Sequence, residues 1–124
     1  MEFKGVGLMV KIIGKPGYGA SFLTNLAIEK LLDTSFDYVC ILIDITGEFL
    51  PLVKKMNGID VNVKSEAYEE FILSKLDKIH FFRINLYLYE NYLIENEIKN
   101  IELLEKIIQS KCNKQVMVIY KDCE

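Results

Sequence analysis

The stretch Gly14-Lys15-Pro16-Gly17-Tyr18-Gly19-Ala20-Ser21 has the residue types and spacing to handle a phosphate. Loops of the form G-x-x-x-x-G-K-[ST] do this because their glycines let backbone N–H groups converge on an anion at the positive end of a helix. Gly14, Gly19 and Ser21 stand where that form requires them, and Gly17 adds further freedom. Ala20 stands where the lysine belongs. A charge-assisted contact of about 1.5–3 kcal/mol is thereby lost, roughly a 10- to 100-fold fall in affinity. Catalysis is expected to lose more, because that lysine also meets charge developing in the transition state. Lys15 could curl back in its place, although Pro16 restricts its backbone.

These residues need a strand before them and a helix after. Leu8 to Ile13 is an apolar run that reads as a buried strand, and Phe22, Leu23, Leu26, Ala27, Leu31 and Leu32 recur at helical spacing after Ser21. Tyr38 to Asp44 reads as a second strand, apolar on both faces as in a parallel sheet covered by helices on each side. Asp44 ends it on the edge where ligands of open α/β sheets bind, and is a candidate site residue for that reason. The pattern then predicts a loop and short helix over 47–56, a strand over 59–63 and a helix from Ser65 to about Leu76. A strand over 79–85, a long amphipathic helix carrying Ile94, Ile98, Ile101, Leu104 and Ile108, and a last strand over 115–120 follow. Strands alternating with helices imply one three-layer α/β domain over 1–124 with a mainly parallel sheet.

At 124 residues the chain fits a single core, burying roughly two-thirds of its unfolded surface. Its net charge of −3 and scattered basic residues do not favour unaided nucleic-acid binding. Cys40, Cys112 and Cys123 lack metal-ligand spacing, and no secretory leader precedes them, so the expected setting is intracellular, in cytoplasm or nucleus. No apolar run approaches the roughly 20 residues that cross a bilayer, so no membrane partner is expected.

Read together, these motifs resemble the RecA/RadA/KaiC family of P-loop ATPases, and RadA-type recombinases and their paralogues most. Ile13 to Leu23 is similar to the family's Walker A segment, and Asn25-Leu26-Ala27 to the helix after it. Ile43-Asp44-Ile45-Thr46-Gly47-Glu48-Phe49-Leu50-Pro51 resembles "I-D-T-E-G-x-F-x-P", Leu76-Asp77-Lys78-Ile79 a similar "L-D-N-I", and Val116 to Ile119 the Walker B strand. The resemblance implies a truncated RecA-like P-loop NTPase core.

The departures fall on positions that the family's ATP chemistry uses. Ala20 replaces the lysine, and Thr46 stands where the family places a water-activating glutamate, with Glu48 two residues further along the loop. Tyr120 or Lys121 stands at the end of the last strand, where an aspartate would help hold Mg²⁺, and Asp122 can serve only if that strand runs longer than its pattern indicates. The chain ends soon afterwards, so the family's later DNA-binding loops are not expected, and a sheet edge or apolar surface is left for a partner to cover. The resemblance therefore implies a degenerate nucleotide site at Gly14, Lys15, Gly17, Gly19, Ala20, Ser21, Asp44 and Glu48, with no required cofactor and weak ATP/Mg²⁺ binding at most. It implies a non-catalytic scaffold in recombination or DNA repair that binds another RecA-fold subunit or its own copies and meets DNA only through the complex. RecA-like subunits of the Elongator tRNA-modification complex show that such a framework can serve other pathways. Two other readings stand beside this one. One is a divergent ATPase, since Gly14-Lys15-Pro16-Gly17 resembles the "G-K-G-G" of ParA/MinD-type proteins and Asp44 to Phe49 the "D-P-x-G-E-F" of HerA-type translocases. The other is a nucleotide sensor.

Other residues read more simply. His80 lacks cysteine or carboxylate neighbours at ligand spacing and is assigned a structural role. Phe81, Phe82, Tyr87, Tyr89 and Tyr92 could stack bases or anchor an interface, but core packing is the expectation, because Phe82, Ile84, Leu86 and Leu88 alternate as an inward row would. The Glu/Lys pattern from Glu95 to Lys111 reads as a solvated helix face.

Overall fold

The computed structural model describes residues 8–13, 38–64, 67–112 and 114–122. The predicted helix after Ser21 lies outside these residues. Five strands, β1 (Leu8–Ile13), β2 (Tyr38–Asp44), β3 (Ile59–Val61), β4 (Phe81–Asn85) and β5 (Gln115–Asp122), form one sheet in the order β1-β5-β2-β4-β3. Every pairing is parallel. Among the described residues three helices alternate with the later strands: α1 (Leu50–Lys55), α2 (Tyr68–Lys75) and α3 (Asn91–Cys112). Among the described residues no helix is long and apolar enough to cross a membrane.

Central strands in such a sheet are covered on both faces, so their side chains divide between two cores by parity. Val39, Ile41 and Ile43 of β2, Phe82 and Ile84 of β4 and Val116 and Val118 of β5 join Tyr68 and Ile72 of α2 and Ile94, Ile101, Leu104 and Ile108 of α3 in the larger cluster. Cys40, Leu42, Phe81, Met117 and Ile119 face the other way, onto Phe49 and onto Leu52 and Val53 of α1. The three layers expected from the sequence are thus present among the described residues. Gly58, just before β3, lies so close to β4 that a Cβ there would sit 2.6 Å from the Phe81 carbonyl oxygen.

Strand ends differ from the sequence expectation. β3 stops at Val61, where the Asn62 side chain accepts a hydrogen bond from the Lys64 N–H and turns the chain. The strand expected from Ile79 begins at Phe81, and the helix expected from Ser65 has its first described turn at Tyr68. β5 runs past Tyr120 to Asp122, because β1 continues to pair with it as far as Ile13 opposite Asp122.

The Tyr68 hydroxyl ties α2 to α3 by donating to the Glu97 carboxylate. Burial, then the hydrogen bond to Glu97 and the charges of Glu97 and Glu69, hold the Tyr68 phenol well above its ordinary range, with Asn100 pulling the other way. The folded state therefore keeps this proton more tightly than the unfolded chain does. The resulting stability is complete at neutral pH and is lost as pH rises through about 10, where an unfolded tyrosine ionises. Urea unfolding between about pH 8 and 11 is expected to show a steeper loss of stability in the native protein than in Tyr68→Phe, which costs about 1 kcal/mol at neutral pH.

Candidate functional site

Because all five strands are parallel, their carboxyl ends share one edge of the sheet. The chain after β2 leaves toward the face covered by α1, and the chain after β4 leaves toward the face covered by α3. These neighbouring strands part at their ends, with Asp44 opposite Asn85 in register. Divergence of this kind opens the crevice in which open α/β sheets bind ligands. A cleft of about 460 Å³ lies there, lined by Thr46, Gly47, Glu48, Asp60, Arg83, Asn85 and Tyr87 among others. A second of about 410 Å³ shares Asp60, Asn85 and Tyr87 and extends to Asn62, Lys64 and Tyr89.

One ion pair organises this end of the sheet. Asp44 is 0% exposed and Arg83 3%. Arg83 Nε donates to Asp44 Oδ2 at 2.8 Å, and Phe49 N–H donates to the same oxygen at 3.1 Å. Asp44 Oδ1 accepts from Gly47 N–H at 2.8 Å, from Thr46 N–H at 3.2 Å and from the Thr46 hydroxyl at 3.3 Å. A carboxylate has about four lone-pair positions, so these five donors leave Asp44 saturated. Gly47 takes φ +81°, a conformation that suits glycine, and the Tyr87 ring lies 3.2 Å from where its Cβ would stand. Phe49 is driven into the smaller core and fixes the far end of the loop.

Arg83 reaches further along the edge. Its Nη1 donates to Asp60 Oδ1 at 2.7 Å and its Nη2 to Asn85 Oδ1 at 3.4 Å, and that amide oxygen also accepts from Tyr87 N–H at 3.1 Å. Burial pulls the guanidinium's pKa down, but hydrogen bonds to Asp60 and Asp44 and their charges outweigh it and raise the value. The strand register explains the convergence: Asp60 pairs with Arg83 across β3 and β4, and Leu42 with Arg83 across β2 and β4. Asp44, Arg83 and Asp60 thus share the α1 face of the sheet.

Asp44 and Glu48 are therefore brought together, but in different roles. Asp44, at the end of β2 as the sequence places it, is a loop-forming counter-ion for Arg83. Glu48 is half-buried and lines the cleft. Gly14, Lys15, Gly17, Gly19, Ala20 and Ser21 lie outside the described residues; β1 leads to them at the same carboxyl edge, separated from β2 by β5. At about 4.8 Å per strand, Asp44 stands about 10 Å from the β1 line. Sequence reasoning missed Arg83, Asp60 and Asn85. The signal available was an arginine inside the apolar run Phe81 to Ile84, which needs a buried counter-charge.

Leu88 does not continue the inward row of Phe82, Ile84 and Leu86. It is 83% exposed with φ +68°, because β4 ends at Asn85 and the chain turns there. Phe81 and Phe82 are buried as expected, whereas Tyr87 and Tyr92 are exposed. His80 is exposed, and its carbonyl accepts the Cys40 N–H at 2.8 Å. Burial pushes the Cys40 thiol up to about 12, which leaves it unreactive at neutral pH. Among the described residues no group of three or more His, Cys, Asp or Glu side chains is arranged to hold a metal ion.

Comparison of the chain with models of protein families, with curated proteins and with solved structures finds no match. What stands is a small α/β domain with an all-parallel sheet whose strands alternate with helices.

Arg83→Met leaves the Asp44 charge buried without its partner and is expected to cost about 3–5 kcal/mol in chemical denaturation. Asp44→Asn combined with Arg83→Met is expected to lose less than the sum of the two single variants, by about 1 kcal/mol or more.

Proposed function

We propose that this chain is a non-hydrolysing, RecA-like subunit, a RadA-type paralogue that works by binding another protein, with recombination or DNA repair as its setting. The observation that carries this reading is the saturation of Asp44. A carboxylate at the end of the second strand, in a loop similar to the family's glutamate-bearing segment, is consumed by five internal donors. It does not fit as a Mg²⁺ ligand or as a base for water. Ala20 adds the loss of the phosphate-binding lysine, and Thr46 uses its hydroxyl to accept the Glu48 N–H and donate to Asp44.

The place of β1 supports the partner-binding half of the proposal. Leu8–Ile13 is a run of apolar residues broken by one lysine, the composition of a central strand, yet it stands at the end of the strand order. Among the described residues its only sheet neighbour is β5. Edge strands are templates for pairing with another chain, such as a second RecA-fold subunit or a copy of this one.

A divergent ATPase of ParA/MinD or HerA type is the second reading, and one observation favours it. Asp122 lies in β5 opposite Ile13, so an acidic residue stands at the register position next to the start of the glycine-rich segment. In this second reading the cofactor would be ATP with Mg²⁺, and Lys15, Ser21, Glu48 and Asp122 are the residues that would have to serve it; the scaffold reading requires none.

ATP turnover by the purified chain separates the two. The scaffold reading expects no Mg²⁺-dependent phosphate release above the protein-free rate. Turnover that Lys15→Ala, Glu48→Gln or Asp122→Asn abolishes would establish the ATPase instead. A rise in melting temperature with ATP but without turnover would point to a nucleotide sensor.

A further inference from the structure

We infer that the cleft between the β2 and β4 loops is a receptor for a nucleobase, and for guanine in preference to adenine. The inference does not rest on the scaffold reading.

The cleft offers a fixed aromatic face. Tyr87 is 52% exposed, and its ring lies against Gly47, so one face is backed by the loop that Asp44 holds. An aromatic face held in this way is a stacking platform for a planar base. Around it are polar groups whose bonds are only partly used. Asp60 is 45% exposed; its Oδ1 is held by Arg83, and among the described residues its Oδ2 has no hydrogen-bond donor. Asn85 uses its Oδ1 for Arg83 and Tyr87, which orients the amide so that, among the described residues, Nδ2 is left as a donor. Arg83 is only 3% exposed, and its Nε, Nη1 and Nη2 bonds to Asp44, Asp60 and Asn85 hold the last two in place at the cleft.

These groups select the ligand's chemistry. An open carboxylate oxygen beside an open amide donor calls for a ligand with donors and acceptors side by side. A guanidinium or ammonium group has no acceptor, so it would leave the Asn85 donor unmet. A fully ionised phosphate group offers Asp60 no donor, and any phosphate would meet a triad, Asp44, Arg83 and Asp60, whose formal charge is already −1. A nucleobase supplies both kinds of group and a face for Tyr87. Guanine suits the carboxylate best, because its N1–H and N2–H₂ donors adjoin the O6 acceptor, whereas adenine offers a single exocyclic donor on that edge. The cleft of about 460 Å³ is within the range that small ligands occupy.

Guanosine is the probe, since it lacks the phosphates that a glycine-rich loop would attract. In a ¹H–¹⁵N NMR titration up to about 1 mM, the amides of Gly47, Asn85 and Tyr87 are expected to shift with guanosine, and adenosine to bind about fivefold more weakly or worse. Tyr87→Leu, a change at an exposed side chain, is expected to weaken guanosine about tenfold, and Asp60→Asn to remove the preference over adenosine. A single-stranded U-G-U trinucleotide that binds more tightly than guanosine would identify the base as part of a strand; equal or weaker binding would identify the free nucleoside or nucleotide. No shift of the cleft amides, shifts that Tyr87→Leu leaves unchanged, or tighter binding of N-acetylarginine amide than of guanosine would each overturn the inference.

Discussion

The buried pair of Asp44 and Arg83 sets the form of the whole carboxyl edge. Two charges removed from water are costly unless each is met by an opposite charge and its remaining valences by hydrogen bonds, and this requirement fixes what surrounds them. Asp44 draws the N–H groups of Thr46, Gly47 and Phe49 around itself, which folds the β2 loop into one shape and delivers Phe49 to the core. Arg83 reaches across to Asp60 and Asn85, which ties β2, β4 and β3 together at their ends. Without the pair, the cleft would lose both its floor and the loop that backs Tyr87.

Much of this architecture is written in local patterns, and the remainder is not for definite physical reasons. The runs from Val39 to Ile43 and from Val116 to Ile119 are fully buried because both faces of the sheet are covered, and that is why they read as apolar without alternation. Ile94, Ile101, Leu104 and Ile108 mark the buried stripe of α3 at helical spacing. Strand ends were harder to read, because they depend on the neighbour. β5 gains two residues because β1 pairs with them, and Leu88 leaves the row of Phe82, Ile84 and Leu86 because the Asn85 side chain starts a turn by accepting the Tyr87 N–H. The Arg83 contacts bridge positions 39 and 23 residues apart, a separation at which local spacing carries no signal. Asp44 was legible as important, but its use as an internal counter-ion was not.

Functionally, the edge divides into two parts. One is the crevice at β2, β4 and β3, with an aromatic platform and partly used polar groups. The other is the end of β1 and β5, where Ile13 meets Asp122 and the glycine-rich sequence begins. A domain that commits its second-strand aspartate to structure has given that group up as a reagent, which a subunit acting through binding can accept. The scaffold proposal follows from that trade, with the apolar β1 as a place for a partner strand.

Amide hydrogen exchange tests the central claim most directly. If Asp44 is the internal anchor of the loop, the N–H groups of Gly47 and Phe49 exchange as slowly as amides of the central strands and become fast in Asp44→Ala while Val118 stays protected. Exchange of Gly47 and Phe49 at the rate of an unstructured chain in the native protein, beside protected β2 and β5 amides, would contradict the account, since Asp44 would then be free for a ligand.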